Sequence, residues 1–361
     1  MISILVEPSY SGSVWCQNML KGLESGLKYK RIPYQYVSSL TELGDGCEYL
    51  YVIGSVPDWI RNVLTACNRM GIHPILLSNQ SDQRFPADYS AVCSDMMLSM
   101  KCLVSTLNGI GKTRIALYGI NPDSAADGSR QLAYRQAMLT QPGEHVFYNR
   151  GSLDACFRDF FPNAGTYDAV ICANDFAAIS LIRHLTEEAP AERDRLTVIG
   201  CAETRLTAFY SRYVQSVRIR FQDYGTAAVS LLETLRRSPF LSRIVMTVRW
   251  DFDPGGQACE GNGPALTAGG PELPATEDRF YQDGELDEML RIEQILNEAD
   301  ELDGKIMGLL MAEAPNETVA EQCFVNVSTV KYRIRKMSAA ARVRSKRELI
   351  RLLKKYIPLD P

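Results

Sequence analysis

The sequence has little of what metal and nucleophilic chemistry needs. Its three histidines, His73, His145 and His184, stand far apart and none lies in an HExxH pattern, so a zinc enzyme has no support. No GxSxG elbow occurs, and the ten cysteines are scattered without a CxxC or an activating partner nearby. Free thiols in a reducing cytoplasm are therefore expected, not a disulfide framework. Gly109-Ile110-Gly111-Lys112-Thr113 has the look of a phosphate loop, but Thr106 stands where the earlier glycine is required and the segment precedes a strand. No segment approaches ~20 unbroken apolar residues, and the opening MISILVEPSY lacks a basic start and a long apolar run. These absences predict a cytoplasmic protein with no membrane contact, no cofactor, no metal and no enzymatic role.

What is present is order along the chain. Short apolar runs at 2–6, 34–37, 49–54, 74–78, 114–119, 169–174, 196–200 and 244–250 alternate with stretches of helical period such as 14–27 and 175–188. Continuously apolar strands separated by helices predict parallel sheets covered on both faces. About 250 residues is long for one such sheet, so residues 1–252 are expected to form two lobes. Residues 253–279 are dense in glycine and proline and read as a linker. Within 280–301, Leu286, Met289, Ile292 and Leu296 repeat at three and four residues, predicting an amphipathic connecting helix. Residues 302–361 read as four short helices, a small all-α domain.

Charge separates the last two segments. Between residues 331 and 355 eleven basic residues face one acid, Glu348, whereas 280–321 carries a dozen acids against Arg291 and Lys305. In a chain of net charge −4, that asymmetry points to a polyanionic partner; a solvated charged helix is the alternative. Ser328 is a candidate N-cap for the third short helix, with Val330, Ile334 and Met337 as its buried face. Thr329, Lys331, Tyr332, Arg333, Arg335 and Lys336 would then face outward, a shape suited to a major groove.

The stretch ETVAEQCFVNVSTVKYRIRKMSAAARVRSKREL, within the last 60 or so residues, resembles the LuxR-type helix-turn-helix through Ser328-Thr329-Val330-Lys331 and Ser345, Arg347 and Glu348 downstream. The resemblance implies double-stranded DNA as partner, with Lys331 and Arg333 at the groove and Thr329 and Arg335 on phosphates or base edges. Ser338-Ala339-Ala340-Ala341 departs from the larger residues usual there. The segments GKTRIALYG, SRQLAYRQAM, YDAVICANDFAA and LTVIGCAE make residues 1–252 resemble the LacI-type, periplasmic-binding-protein-like sensor. That resemblance implies a ligand-binding cleft with Arg130, Asn174, Asp175, Trp15, Asn79 and Asp95. In open parallel sheets ligands gather beyond the carboxyl ends of strands, where Asn79, Asn174, Asp175 and Glu203 are expected to project. Ala202 stands where sugar-binding members carry an acid, and Arg218 and Arg220 lie close by. An anionic metabolite therefore competes with a sugar-like effector.

The sequence thus predicts a small-molecule-responsive, DNA-binding transcription regulator acting as a homodimer. The apolar stripe of residues 286–296 packs either on its own chain or on a partner's; in a dimer, the stripe, or Leu349 and Leu352, is expected to supply part of the contact. A cytoplasmic solute-binding protein whose C-terminal helices dock a protein partner is the alternative.

Overall fold

The apolar strands pair in parallel throughout, and they do so in two separate sheets. The structure is a computed structural model that describes residues 1–361 except 10, 45, 79–84, 139–144, 203, 253–282 and 359–361. β1 (Ile2–Val6), β2 (Tyr34–Val37), β3 (Tyr49–Ile53), β4 (His73–Leu77) and β5 (Ser90–Ser94) form the first sheet. β6 (Ile115–Ile120), β7 (Val146–Tyr148), β8 (Ala169–Cys172), β9 (Thr197–Cys201) and β10 (Val214–Val217) form the second, in the order β10-β9-β8-β6-β7. β11 (Val245–Val248) returns to the edge of the first, giving β11-β5-β4-β3-β1-β2. Strand register is fixed by burial on both faces; Ile4, fully buried, sits between Tyr36 and Tyr51.

Helices cover both faces of each sheet. α1 (Val14–Tyr29) lies on one face of the first and α2 (Pro57–Arg69) on the other. α3 (Met96–Gly109) and α4 (Ala125–Ala137) cover one face of the second, while α5 (Leu153–Phe160) and α6 (Asp175–Glu188), followed by α7 (Pro190–Arg195), take the opposite side. α8 (Phe221–Arg237) goes back to the first lobe and packs along α1. There the helix backbones touch: a Cβ on Gly22 would lie 1.9 Å from the Gln222 carbonyl oxygen, and one on Gly225 would lie 2.1 Å from the Leu23 nitrogen. The chain passes between lobes three times, before α3, at Arg218–Arg220 and after β11. Arg218 and Asp251 exchange backbone hydrogen bonds of 2.9 Å each, which ties the second passage to the third.

The stretch 253–279 lies outside the described residues. Beyond it come α9 (Gly284–Glu298), α10 (Glu301–Met311), α11 (Asn316–Gln322), α12 (Val327–Ala340) and α13 (Lys346–Tyr356). The stripe on α9 does not wait for a second copy. Leu286, Met289, Ile292 and Leu296 are buried within this chain, between α5 and α6 on one side and α10–α13 on the other, and Leu349 and Leu352 are buried as well. The dimer surfaces expected from the sequence are therefore corrected: both apolar faces are consumed internally. Burying each such side chain stabilises by about 1.5–3 kcal/mol, so the stripe alone holds the helices firmly.

Polar groups reinforce the seat. The Asp283 carboxylate accepts from the Leu153 amide at 2.6 Å, and Glu293, itself buried, accepts from the amides of Arg205 and Leu206 at 2.9 and 2.8 Å. Arg183 pairs with Glu285 and lies over the Tyr356 ring, 4.5 Å from its centre, while Tyr210 donates to the Tyr356 carbonyl at 2.8 Å.

Candidate functional site

Two regions collect the functional candidates: the passages between the lobes and the outward face of α12.

At the start of α4, Ser124 caps the helix and Asp127, three residues on, accepts from the Asn121 amide at 2.9 Å. The carboxylate also pairs with Arg130 one turn later, and both side chains are buried. Burial pushes the Asp127 carboxyl up, against the pull of the Arg130 guanidinium. Arg130 lies 5.9 Å from the ring centre of Trp250, on the third passage. Arg130 Nε and Trp250 Nε1 are buried donors with no acceptor among the described residues. Unsatisfied buried donors favour a molecule that brings oxygen acceptors. Sequence reasoning named Arg130 and missed Asp127 and Trp250; the Ser124-x-x-Asp127 spacing was a readable signal for the first, and nothing local marked the second.

Asp175 behaves differently from expectation. It is fully buried, and its two oxygens accept from the Thr204 amide and the Ser216 hydroxyl, each at 2.6 Å. Burial pushes this carboxyl up, against those donors. A Cβ on Gly200 would sit 2.3 Å from Asp175 Oδ1, so the strand passes directly over it. The expectation that Asp175 opens toward a cavity is corrected: the first turn of α6 aims it at the loop after β9. Asn174 caps the same helix, accepting from the Ala177 amide at 2.9 Å, and Asp95 caps α3, accepting from Leu98 at 3.0 Å.

Trp15 is half-buried on the first lobe, its ring 6.5 Å from that of Phe221 at the start of α8. Next to Phe221, Arg220 pairs with Asp251 at 2.7 Å with its side chain 57 % exposed. Asn79 and Glu203 lie outside the described residues. Ala202, just before Glu203, holds φ at +106°, a strained value for a residue with a Cβ and of the kind found at ligand clamps.

Glu7 was not anticipated. Beyond the end of β1 it is buried, and Oε2 accepts from the amides of Ser55 and Val56 at 2.7 and 3.0 Å, fixing the loop after β3.

On α12, Val330, Ile334 and Met337 are buried, as their spacing predicts. Ser328 is not the cap: the helix starts at Val327 with Asn326 in the cap position, and Ser328 lies exposed in the first turn. Lys331, Tyr332 and Arg335 are exposed, Tyr332 at 64 %. Thr329, Lys336 and Arg333 are half-buried. Arg333 turns away from the open face and pairs with Asp300 at 2.7 Å and Asp303 at 2.9 Å, so its expected groove-facing position is corrected. One helical turn sets the direction: Arg333 sits on the flank nearer α10, where the two acids form a capping box. Cations of α13 are partly spent too, Lys354 on Glu313 and Lys355 on Glu288. Arg342, Arg344, Arg347 and Arg351 are exposed and form no ion pair within the described residues.

No protein-family model matches the chain, and no curated protein does. Solved structures do. The chain is similar to the transcriptional regulator CelR in complex with cellobiose, with 17 % identity and a TM-score of 0.56 over 70 % of this chain and 83 % of that one. It is similar to the LacI-family transcriptional regulator CCPA from Weissella paramesenteroides with bound glucose, with 17 % identity and a TM-score of 0.53 over 70 % and 96 %. It is also similar to GanP, a glucose-galactose binding protein from Geobacillus stearothermophilus, with 11 % identity and a TM-score of 0.56 over 69 % and 95 %. The shared feature is the fold, the periplasmic-binding-protein-like pair of parallel-sheet lobes.

Proposed function

We propose that the chain is a ligand-responsive, DNA-binding transcription regulator. The observation that carries the reading is the outward face of α12, where Lys331, Tyr332 and Arg335 stand exposed with no ion pair among the described residues, as do four more arginines at residues 342–351. Cations held out of ion pairs on a helix whose other side is firmly packed suit a duplex: the helix enters the major groove and the flanking arginines meet phosphates.

The effector in this reading is a small polar molecule held between the lobes, with Arg130 Nε and Trp250 Nε1 donating to its oxygens. Arg220 is 57 % exposed, and its pairing with Asp251, which Arg249 also approaches at 3.8 Å, keeps it at the surface, so this reading takes a sugar-like ligand ahead of an anionic one. The cellobiose and glucose in the similar structures agree with that class. Closing the lobes on the effector would move the C-terminal helices with the second lobe. Two copies on paired half-sites give such a head its usual target, and they meet through surfaces other than the α9 stripe or Leu349 and Leu352.

The test is fluorescence anisotropy of random-sequence duplex with the full chain at several salt concentrations. Wild type should bind, and Lys331→Ala and Arg335→Ala should each cost about 1–3 kcal/mol for a base contact or lower the salt slope by about one for a phosphate contact. Deleting residues 302–361 is the wrong control, because it would open the core beneath α9. Absence of binding by wild type at low salt contradicts the proposal. For the effector, a thermal-shift screen of sugars at a hundred times the dissociation constant should stabilise by about 2.7 kcal/mol, with the shift lost in Arg130→Ala.

A further inference from the structure

Three helices of the C-terminal bundle end in the same way. After α10, α11 and α12, the backbone turns through a left-handed residue, Glu313 (φ 61°), Phe324 (φ 55°) and Arg342 (φ 52°). Each turn carries the paired hydrogen bonds of a Schellman motif; for α11 these run from the Phe324 amide to the Glu321 carbonyl at 3.2 Å and from the Val325 amide to the Ala320 carbonyl at 3.0 Å. Glycine adopts this conformation at least cost and dominates such positions, so a side chain there has to be explained by something it does. Glu313 is explained within the chain by its ion pair with Lys354. Phe324 is not: the residue is 93 % exposed.

A bulky aromatic in a strained backbone position, contributing no burial, is a poor choice for folding alone. Its surroundings say what it faces. Phe324 stands in the tight turn just before α12, and the open face of that helix offers Lys331, Tyr332 and Arg335, with Arg342 and Arg344 beyond its end. An apolar ring beside a cationic helix face matches a duplex, whose backbone is anionic and whose major groove displays one apolar group, the thymine 5-methyl. A lipid surface would call for a wider apolar patch; on α12 the exposed neighbours Lys331 and Arg335 are charged, and the exposed Tyr332 carries a hydroxyl.

We propose that Phe324 reads sequence by seating on a thymine methyl at the edge of the major groove, and that the strained turn is kept for this contact. The inference rests on the DNA-binding reading above. It also carries a sign that a structural role lacks: Phe324→Gly should leave the fold as stable or make it more stable while weakening recognition.

The experiment selects a tight-binding duplex from a random pool with the full chain, then compares it with the same duplex carrying uracil for thymine, which removes only the methyl. Wild type should lose roughly fourfold in affinity for each contacted thymine. Phe324→Gly should bind the thymine duplex about fourfold more weakly, should no longer distinguish the two duplexes, and should unfold at the same temperature as wild type or higher. Lys331→Ala should bind both duplexes more weakly while keeping the discrimination. If Phe324→Gly discriminates as wild type does, or weakens both duplexes equally, or unfolds at lower temperature, the inference is overturned while the DNA-binding reading stands on Lys331→Ala. If wild type binds no duplex, both fall together.

Discussion

The two lobes share a sheet type but complete their surfaces differently. In the first, α1, α2 and α8 close the core, and the α1–α8 contact is so tight that Gly22 and Gly225 let backbone touch backbone. In the second, one apolar cluster continues from Tyr118 and Phe157 beneath α6, through Met289 and Ile292 of α9, into Val330, Leu353 and Tyr356. The C-terminal helices are therefore built onto the second lobe, not tethered beside it. A head with its own isolated core would report lobe motion only through a linker; one that shares its lobe's core moves as part of it. If the lobes close on an effector as proposed, the outward face of α12 moves with the second lobe.

The largest effect that bears on the comparison is expected at Met289, fully buried where lobe and helices meet. Met289→Ala should cost about 2–5 kcal/mol, and the loss should appear in the second lobe and in α10–α13 together while the first lobe is unmoved. Resolved denaturation transitions, or protection of individual amides, would show it. Gly22→Ala is the mirror experiment. The added methyl meets backbone, so about 1–3 kcal/mol should be lost from the first lobe alone. Arg333→Ala should cost about 1–3 kcal/mol of stability, because it leaves the buried Asp303 without its cation, yet it should leave the salt slope of duplex binding unchanged. An unaltered melting temperature with a lowered salt slope would return Arg333 to the groove.

A smaller effect follows from acid. Around Glu285, burial is outweighed by His184, Ser180 and Arg183, and around Glu288 it is outweighed by Lys355 and Tyr356, so both carboxyls titrate below the usual range. Groups depressed in the folded state stabilise fully above their unfolded value, about 4.3, and lose that contribution as pH falls through the lowered one. The seat of α9 should therefore loosen below about pH 4. Glu285→Gln should flatten that acid limb and leave the neutral-pH midpoint lower than wild type, as thermal melts across pH would record.

Much of this was written in the sequence, and the failures have a physical pattern. The range 2–6 for β1, 34–37 for β2 and 175–188 for α6 follow from apolar runs and helical period alone. β5, β7 and β10 escaped: SAVCS ends in serines, VFY is three residues long, and VQSV carries two polar residues, so none forms an apolar run. The buried face of α12 was legible because period sets which side is apolar. The direction of a charged side chain was not, because it depends on what packs alongside: Arg333 meets the acids of α10, and Asp175 meets Thr204 and Ser216, none of them near in sequence. Periodicity also identified the α9 stripe as apolar without saying which surface would cover it.

The most direct test is native-state hydrogen exchange on the full chain. If the C-terminal helices are built into the second lobe, amides of α12 and α13 should open with the same free energy as those of β8 and β9, and Met289→Ala should lower both by the same amount. Exchange of α12 and α13 through a separate, cheaper opening, with β8 and β9 still protected and untouched by Met289→Ala, would contradict the account.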